Sequence, residues 1–484
     1  AGAMKTRDAA QWAADFEAAD VPFAPVRQGP VVLDDPQIRH NAMVLALEDP
    51  ALGDTVQMGA PIRFAETPAD PKPRAAASGP APGLAPLSPE AAPAAGDGQD
   101  PPPLAGVRVL EITNLIAGPT GGRLLGDLGA DVIKLEPPGG DISRPIGRNY
   151  FYNLNFNKRS FCVDARKPGG REAIQRVAAS CDMMLANLRP GATHRMGIGA
   201  DVDPELIETH VTGYGLTGPY SKRPGIDPLA QALMGLSRAQ GGSGNPPSFA
   251  AQLAPTDFTA GAMATLGSIL ALYARRRGKA SRRVDSNLLN AAVVLSSPWF
   301  GKWQGKPERP LADTGQHGID AFHRLYRVAD GWIYVAADTE EARAALTGSL
   351  GLGAMDPAGD GHPAESPLAR AMEAAFADRR AEEALEALNA AGVPAAEARS
   401  GASEVFLDDE SAHGNGLVTE AGHPTAGRMR IAWNYIGFRD TASSAARPTP
   451  LLGEHSADVL AEAGAGADEI EALLASGAVL AERG

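Results

Sequence analysis

Apolar runs and helical stretches alternate along most of this chain. GVRVLEIT (106–113) reads as a buried strand and GPTGGRLLGDLG after it as a helix. ADVIKLE (130–136) and RSFCVD (159–164) supply a second and a third strand, 169–180 a helix, and DMMLAN (182–187) and LIETHVT (206–212) two further strands. Strands that are apolar throughout and separated by helices predict an α/β fold, a parallel sheet with right-handed crossovers. Ligands of such sheets lie beyond the carboxyl ends of the strands, where the loops 115–119, 137–144, 187–191 and 213–219 fall. The uncharged run FTAGAMATLGSILALY (258–273) is shorter than the ~18–20 residues needed to cross a bilayer. Thr259, Gly261, Thr265, Gly267 and Ser268 within it allow close helix contacts, so it reads as a buried core helix and not as a membrane span.

The pattern also repeats. FEAADVPFAPVRQGPVVLDDPQ near the start parallels ALNAAGVPAAEARSGASEVFLDDES near the end. Beyond them, at one constant offset, Pro50 matches Pro424, Gly53 matches Gly427, Ile62 matches Ile436 and Phe64 matches Phe438. Each copy reads as helix, Val-Pro, short strand, a loop with paired Asp, then two strands around a Gly turn. Matched Pro and Gly mark particular turns, which chance similarity of Ala-rich stretches does not reproduce. With 484 residues and a soft prior of about three domains, the expected organisation is a partial C-terminal piece of a first unit (5–75), a Pro/Ala-rich linker (76–103), a large α/β domain (104–309), a small α+β domain (310–430) and a return segment (431–484). The Ala, Pro, Gly and Ser bias that defines the linker begins at about 65 and cannot build a core. Ala1-Gly2-Ala3 before Met4 reads as an expression scar.

A formal charge of −14 argues against general binding of nucleic acid or anionic membrane. Cys162 and Cys181 are too few for a disulfide framework, no secretory signal opens the chain, and a cytoplasmic location is expected. No His or Cys pair has metal-ligand spacing. Gly213-Tyr-Gly-Leu-Thr-Gly218 spells a dinucleotide fingerprint, but Pro219 and Pro224 prevent its last glycine from opening a helix. Two aspartates stand out. Asp227, before Pro228, and Asp257, before the long apolar run, are each either an ordinary helix cap or a nucleophilic carboxylate held by a helix dipole. Lys158-Arg159, Arg166-Lys167, Arg189, Arg195 and Lys222-Arg223 cluster at the expected loop edge, which suits a polyanionic small ligand such as a nucleotide phosphate.

These segments resemble a known family. LAGVRVLEITNLIAGPTGGRLLGDLGADVIKLEPPGGD, NKRSFCVDARKPGGRE, NLRPGATHRMG, TGYGLTGPYSKRPGIDPLAQALMG and VDSNLLNAAV are similar, in order, to the class III CoA-transferases, the family of formyl-CoA transferase and carnitine CoA-transferase with α-methylacyl-CoA racemase as a relative. The resemblance spans 104–480 and, in part, 5–75. It implies a large parallel-sheet, Rossmann-like domain with a smaller α+β domain, interlocked as a homodimer or, here, an intramolecular pseudo-dimer. It implies an enzyme that moves CoA from an acyl-CoA thioester to a small carboxylic acid with no permanently bound cofactor. By the same resemblance Asp257 is the nucleophile, forming an aspartyl intermediate, and Asp227 assists. The family's CoA contacts carry over to Ile116, Ala117, Val163, Asp164, Ala165, Arg166, Asn187, Leu188, Arg189 and Arg195.

Some positions depart from the pattern. Pro138 and Pro224 replace basic CoA contacts of formyl-CoA transferase, with Arg223 a substitute for one, and its glycine-rich loop is reduced to DTGQHG (313–318). A racemase or lyase on the same fold is one alternative, but the racemase's catalytic His, expected between Arg195 and Leu206, is missing. A non-catalytic CoA-binding half of a tandem protein is another, against which Asp257 argues.

Overall fold

A computed structural model describes residues 3–71, 100–250, 253–353, 355, 361–433, 435–438 and 447–481. Its centre is an eight-stranded sheet in the order Val479–Leu480, Lys158–Val163, Asp131–Glu136, Arg108–Ile112, Met183–Ala186, Ile207–Thr212, Arg283–Asn287 and Arg63–Phe64. The six middle strands are parallel, and both edges are antiparallel additions from opposite ends of the chain. The first strand of the domain, Arg108–Ile112, is central. The chain winds outward from it to one side and then, from Met183–Ala186, to the other. That reversal leaves a crevice between the carboxyl ends of these two neighbours.

Close helix packing sets the shape of the crevice. Ala117–Asp127 lies against the long helix Pro255–Arg276. A β-carbon on Gly261 would lie 2.5 Å from the Ala117 carbonyl oxygen and 2.7 Å from Thr120 Cβ, so only glycine permits this approach. Thr265 Oγ1 donates to the Gly121 carbonyl at 3.1 Å across the contact. Pro255–Arg276 is long and apolar enough to cross a membrane by length and composition, and half of its most apolar stretch is buried in this packing.

A second, four-stranded antiparallel sheet, Gly318–Asp320, His323–Val328, Gly331–Ala336 and Ala395–Glu397, forms the small domain around Tyr326, Ile333, Met372 and Phe376. The chain then returns to the large domain. Arg123, buried at 2% exposure, donates to the Ala432 carbonyl and lies over the Phe156 ring, against which Trp433 packs edge-on.

The internal repeat is present in three dimensions. Helices Ala9–Ala18 and Ala381–Ala390 occupy matching positions. Pro36–His40 and Glu410–Gly414 are each capped by an aspartate, Asp35 and Asp409. The hairpin pairing Val44 with Met58 and Asp49 with Gly53 has the same register as the one pairing Val418 with Ala432 and His423 with Gly427. One expected element differs. The short strand after Val-Pro forms only in the second copy, as Ala395–Glu397, because there Gly331–Ala336 offers it an edge. Residues 23–28 have no such partner and form no strand.

The first copy packs on the same chain's large domain. Ile38 and Met43 are fully buried in its core. Gln37 Nε2 donates to the Tyr214 and Thr217 carbonyls and Asn41 Nδ2 to Asn290 Oδ1, all at 2.9 Å. The expected linker lies mostly outside the described residues.

Ala42 sits in the left-handed region at φ 56°, where the second copy has Gly416 at φ 69°. Ala42→Gly is expected to raise stability by about 0.5–1 kcal/mol, read from the denaturation midpoint, because glycine removes the Cβ penalty of that conformation.

Candidate active site

The crevice opens into a cleft of about 400 Å³. One wall is 114–117, after the first strand, and the facing wall is 187–190, after Met183–Ala186. The floor and far side come from 211–213, Ser221, 223–228, Phe249, Ala254, Asp257 and Leu288. Asn187 ties the two walls: its Oδ1 accepts from the Asn114 N–H at 2.9 Å and its Nδ2 donates to the Asn114 carbonyl at 2.8 Å.

Below the first wall lies a charge network with no solvent exposure. Lys134 Nζ reaches Glu111 at 3.1 Å and Asp141 at 2.9 Å, while Lys158 Nζ reaches the other Glu111 oxygen at 2.7 Å. Lys134 also donates to the Thr113 carbonyl and Lys158 to the Pro119 carbonyl, and Asp141 accepts from the Leu115 N–H. Residues 113–119 are therefore held at both ends by buried charges. Leu115 is forced to φ 66°, and across the cleft Ala254 stands at φ 39°. Left-handed non-glycine residues are strained and persist where their surroundings over-determine them.

Asp257 and Asp227 meet in this cleft, placed differently from the sequence expectation. Asp227 does not cap its own helix; it is the first residue of Asp227–Leu233, preceded by Ile226. Its carboxylate instead accepts from the N–H of Thr256 at 2.8 Å, from the Thr256 hydroxyl and from Gln231. It thus caps the long helix across 29 residues of sequence. Asp257 does not precede that helix but lies in its first turn. Its carboxyl has no hydrogen-bond or ion-pair partner among the described residues. Burial, and next the charge of Asp227, push it up to about 7. A carboxylate that is desolvated, unpaired and exposed to the cleft is a group free to react.

The cleft brings together Ile116, Ala117, Asn187, Leu188 and Arg189 with the two aspartates. Val163 ends, and Asp164, Ala165 and Arg166 follow, a strand two places along the same carboxyl edge, outside the cleft walls, where Arg166 pairs with Asp164. Arg195, exposed, ends the short helix Ala192–Arg195 just past Pro190, also outside the walls. Lys158 and Arg159 do not join the expected cationic edge, because they begin their strand rather than end it. Lys158 enters the buried network, and Arg159 pairs with Asp131 and Glu462. Sequence reasoning missed Asn114, Ser221 and Phe249, which line the cleft but carry no distinctive spacing. The loop 313–318 packs on the end of the short helix Leu236–Gly241, with Gln316 donating to the Gln240 and Gly241 carbonyls.

The profile of the family described as CoA-transferase family III matches residues 1–82 and 104–456. The chain belongs to CoA-transferase family III. It is 33% identical to mouse succinyl-CoA:glutarate CoA-transferase over 78% of this chain and 90% of that protein. It is 30% identical to formyl-CoA:oxalate CoA-transferase of Rhodopseudomonas palustris strain TIE-1, over 74% and 92%. A CaiB/BaiF family protein from Brucella suis matches at TM-score 0.62 and 26% identity, covering 75% of this chain and all of that one. The chain is accordingly an acyl-CoA:carboxylate CoA-transferase of class III, with the α/β fold of that class.

The raised Asp257 titration has a thermodynamic consequence. Between about pH 4 and 7 the unfolded chain has lost this proton while the folded chain keeps it, so this group's contribution to stability falls as pH rises. Asp257→Asn should therefore stabilise the protein at pH 8 by on the order of 2–4 kcal/mol, with the gain vanishing near pH 4, measured as melting temperature against pH.

Proposed function

We propose that this enzyme transfers CoA between an acyl-CoA donor and a small carboxylic acid through a covalent intermediate on Asp257. The observation that carries this reading is the desolvated Asp257 carboxyl in the switch-point cleft, unpaired among the described residues. The ionised Asp257 oxygen attacks the thioester carbonyl, forming a mixed anhydride as the C–S bond breaks and CoA leaves as thiolate. The thiolate attacks the aspartyl carbonyl, releasing the donor acid as carboxylate and leaving an aspartyl-CoA thioester. An acceptor carboxylate then attacks that thioester and the steps run in reverse. No proton or electron is gained or lost over the cycle.

Holding the thiolate beside the anhydride makes the second step effectively unimolecular, an advantage of up to ~7–11 kcal/mol. Every intermediate is hydrolysable, and the apolar walls Ile116, Ala117, Leu188 and Leu288 support exclusion of water. Asp227 positions the nucleophile by anchoring Thr256, the residue before it, and its charge adds to the burial that raises the Asp257 carboxyl to about 7. The names of the relatives, one from mouse and a succinate–glutarate CoA-transferase from Agrobacterium fabrum at 29% identity, support a short dicarboxylic acid as acceptor and succinyl-CoA as donor. Arg189 at the rim, then Arg195 and the strand-end residues 163–166, form the edge along which the nucleotide would extend.

Incubation with succinyl-CoA followed by hydroxylamine should modify the one peptide containing Asp257. Asp257→Asn should lose transfer by at least ~10³-fold while still binding CoA, because an amide keeps the shape and cannot form the anhydride. Full activity of that variant, or trapping at Asp227, would refute the assignment.

The pH profile gives a second check. The first half-reaction should rise with pH and level off above about 7, as Asp257 ionises. Asp227→Asn retains an acceptor for Thr256 but removes the neighbouring charge, so the midpoint should move down.

A further inference from the structure

Two arginines stand at the mouth of the cleft, and both are already paired with carboxylates from the first repeat copy. Arg189 binds Asp20 through both terminal nitrogens, at 3.2 and 2.9 Å. Arg223 binds Glu17 in bidentate fashion through Nε and one terminal nitrogen, at 3.0 and 2.8 Å, and its guanidinium lies 4.0 Å from the centre of the Tyr220 ring. A groove of about 470 Å³ runs between Glu17, Asp20, Val21 and Phe23 on one side and 218–219 with 221–224 on the other. It shares Ser221, Arg223 and Pro224 with the cleft, so the two are continuous.

The repeat shows that these carboxylates are not part of the module itself. Helix Ala9–Ala18 aligns in register with Ala381–Ala390, which puts Glu17 opposite Asn389 and Asp20 opposite Gly392. The turn is the same in both: Val21 N–H donates to the Phe16 carbonyl as Val393 N–H does to Leu388. Asp20 even occupies a left-handed position, φ 54°, where the second copy has glycine at φ 72°. The copy facing the cleft therefore has acids at two places where its counterpart is neutral, one of them against backbone preference.

We infer that Glu17 and Asp20 are resident counter-ions of the CoA phosphate entrance, which the incoming phosphates displace from Arg223 and Arg189. This rests on the CoA-transferase reading above. The side chains of Arg189 and Asp20 are 57% and 59% exposed and those of Arg223 and Glu17 26% and 49%. Pairs this exposed are weak, so a phosphate, a stronger bidentate acceptor for arginine, replaces the carboxylate. The exchange makes the wild-type site selective for ligands with anionic charge to spare. It also makes binding insensitive to salt, because one screened ion pair replaces another.

The test is the double variant Glu17→Gln/Asp20→Asn in the full chain; both positions are exposed, and Asn tolerates the left-handed backbone of residue 20. The affinities of wild type and variant for CoA and for phosphate-free pantetheine are compared at 20 and 300 mM salt. The variant should bind CoA about 3–10-fold more tightly at low salt, with the two proteins converging at high salt and pantetheine binding unchanged. CoA affinity that is unchanged or weaker in the variant, or an equal gain for pantetheine, overturns the inference. Failure of the wild type to bind CoA at either salt concentration would instead overturn the function on which it rests.

Discussion

Two fully buried lysines hold the active-site wall in place. Lys134 and Lys158 share Glu111, and Lys134 also takes Asp141. Lys134 also donates to the Thr113 carbonyl and Lys158 to the Pro119 carbonyl, on either side of the strained Leu115. Burial of four charges is costly, and such networks contribute less to stability than to fixing one arrangement. Here the arrangement is the turn from the first strand into Ala117–Asp127. Burial pushes Lys158 down to about 8, with Glu111 opposing and Lys134 adding to the fall. The network therefore depends on every partner remaining charged.

The cleft inherits its geometry from that turn. Fixing 113–119 fixes the start of the helix that packs, glycine against backbone, on the long helix bearing Asp257. Asp227 then closes the arrangement by capping the same long helix from a different segment. Two carboxyl groups thus lie close together at a helix N-terminus. One accepts several hydrogen bonds, and the other is left desolvated and, among the described residues, unpaired. Their different environments set the two carboxyl groups apart, which is the basis of the different roles proposed for them.

The repeat has a further effect on the chemistry. The first copy fills a face of the large domain in cis, adds the strand Arg63–Phe64 to the sheet edge and places Glu17 and Asp20 over the cleft mouth. The second copy keeps the corresponding hairpin against Arg123 and Phe156, and its Ile436 and Phe438 are half exposed where Ile62 and Phe64 pack on the core. One module, used twice in one chain, stands over the mouth of the cleft in one place and braces the sheet in the other.

Much of this was legible in the residues alone. Continuous apolar strands separated by helices specify the parallel sheet, and the constant offset of Pro50/Pro424 and Gly53/Gly427 specifies the repeated hairpin, because period and turn chemistry are local properties. The family motifs single out Asp257 and the 116–117 and 187–189 loops. What the chain could not reveal locally was decided by contacts between distant segments. A cap normally serves its own helix, so nothing near Asp227 indicates that it serves Thr256. Lys158 reads as a surface cation until three strands enclose it with Glu111. Arg189 and Arg223 read as free cations until a segment about 170 and 206 residues away supplies Asp20 and Glu17. Such pairings follow from which surfaces the sheet brings together, and no sequence period encodes them.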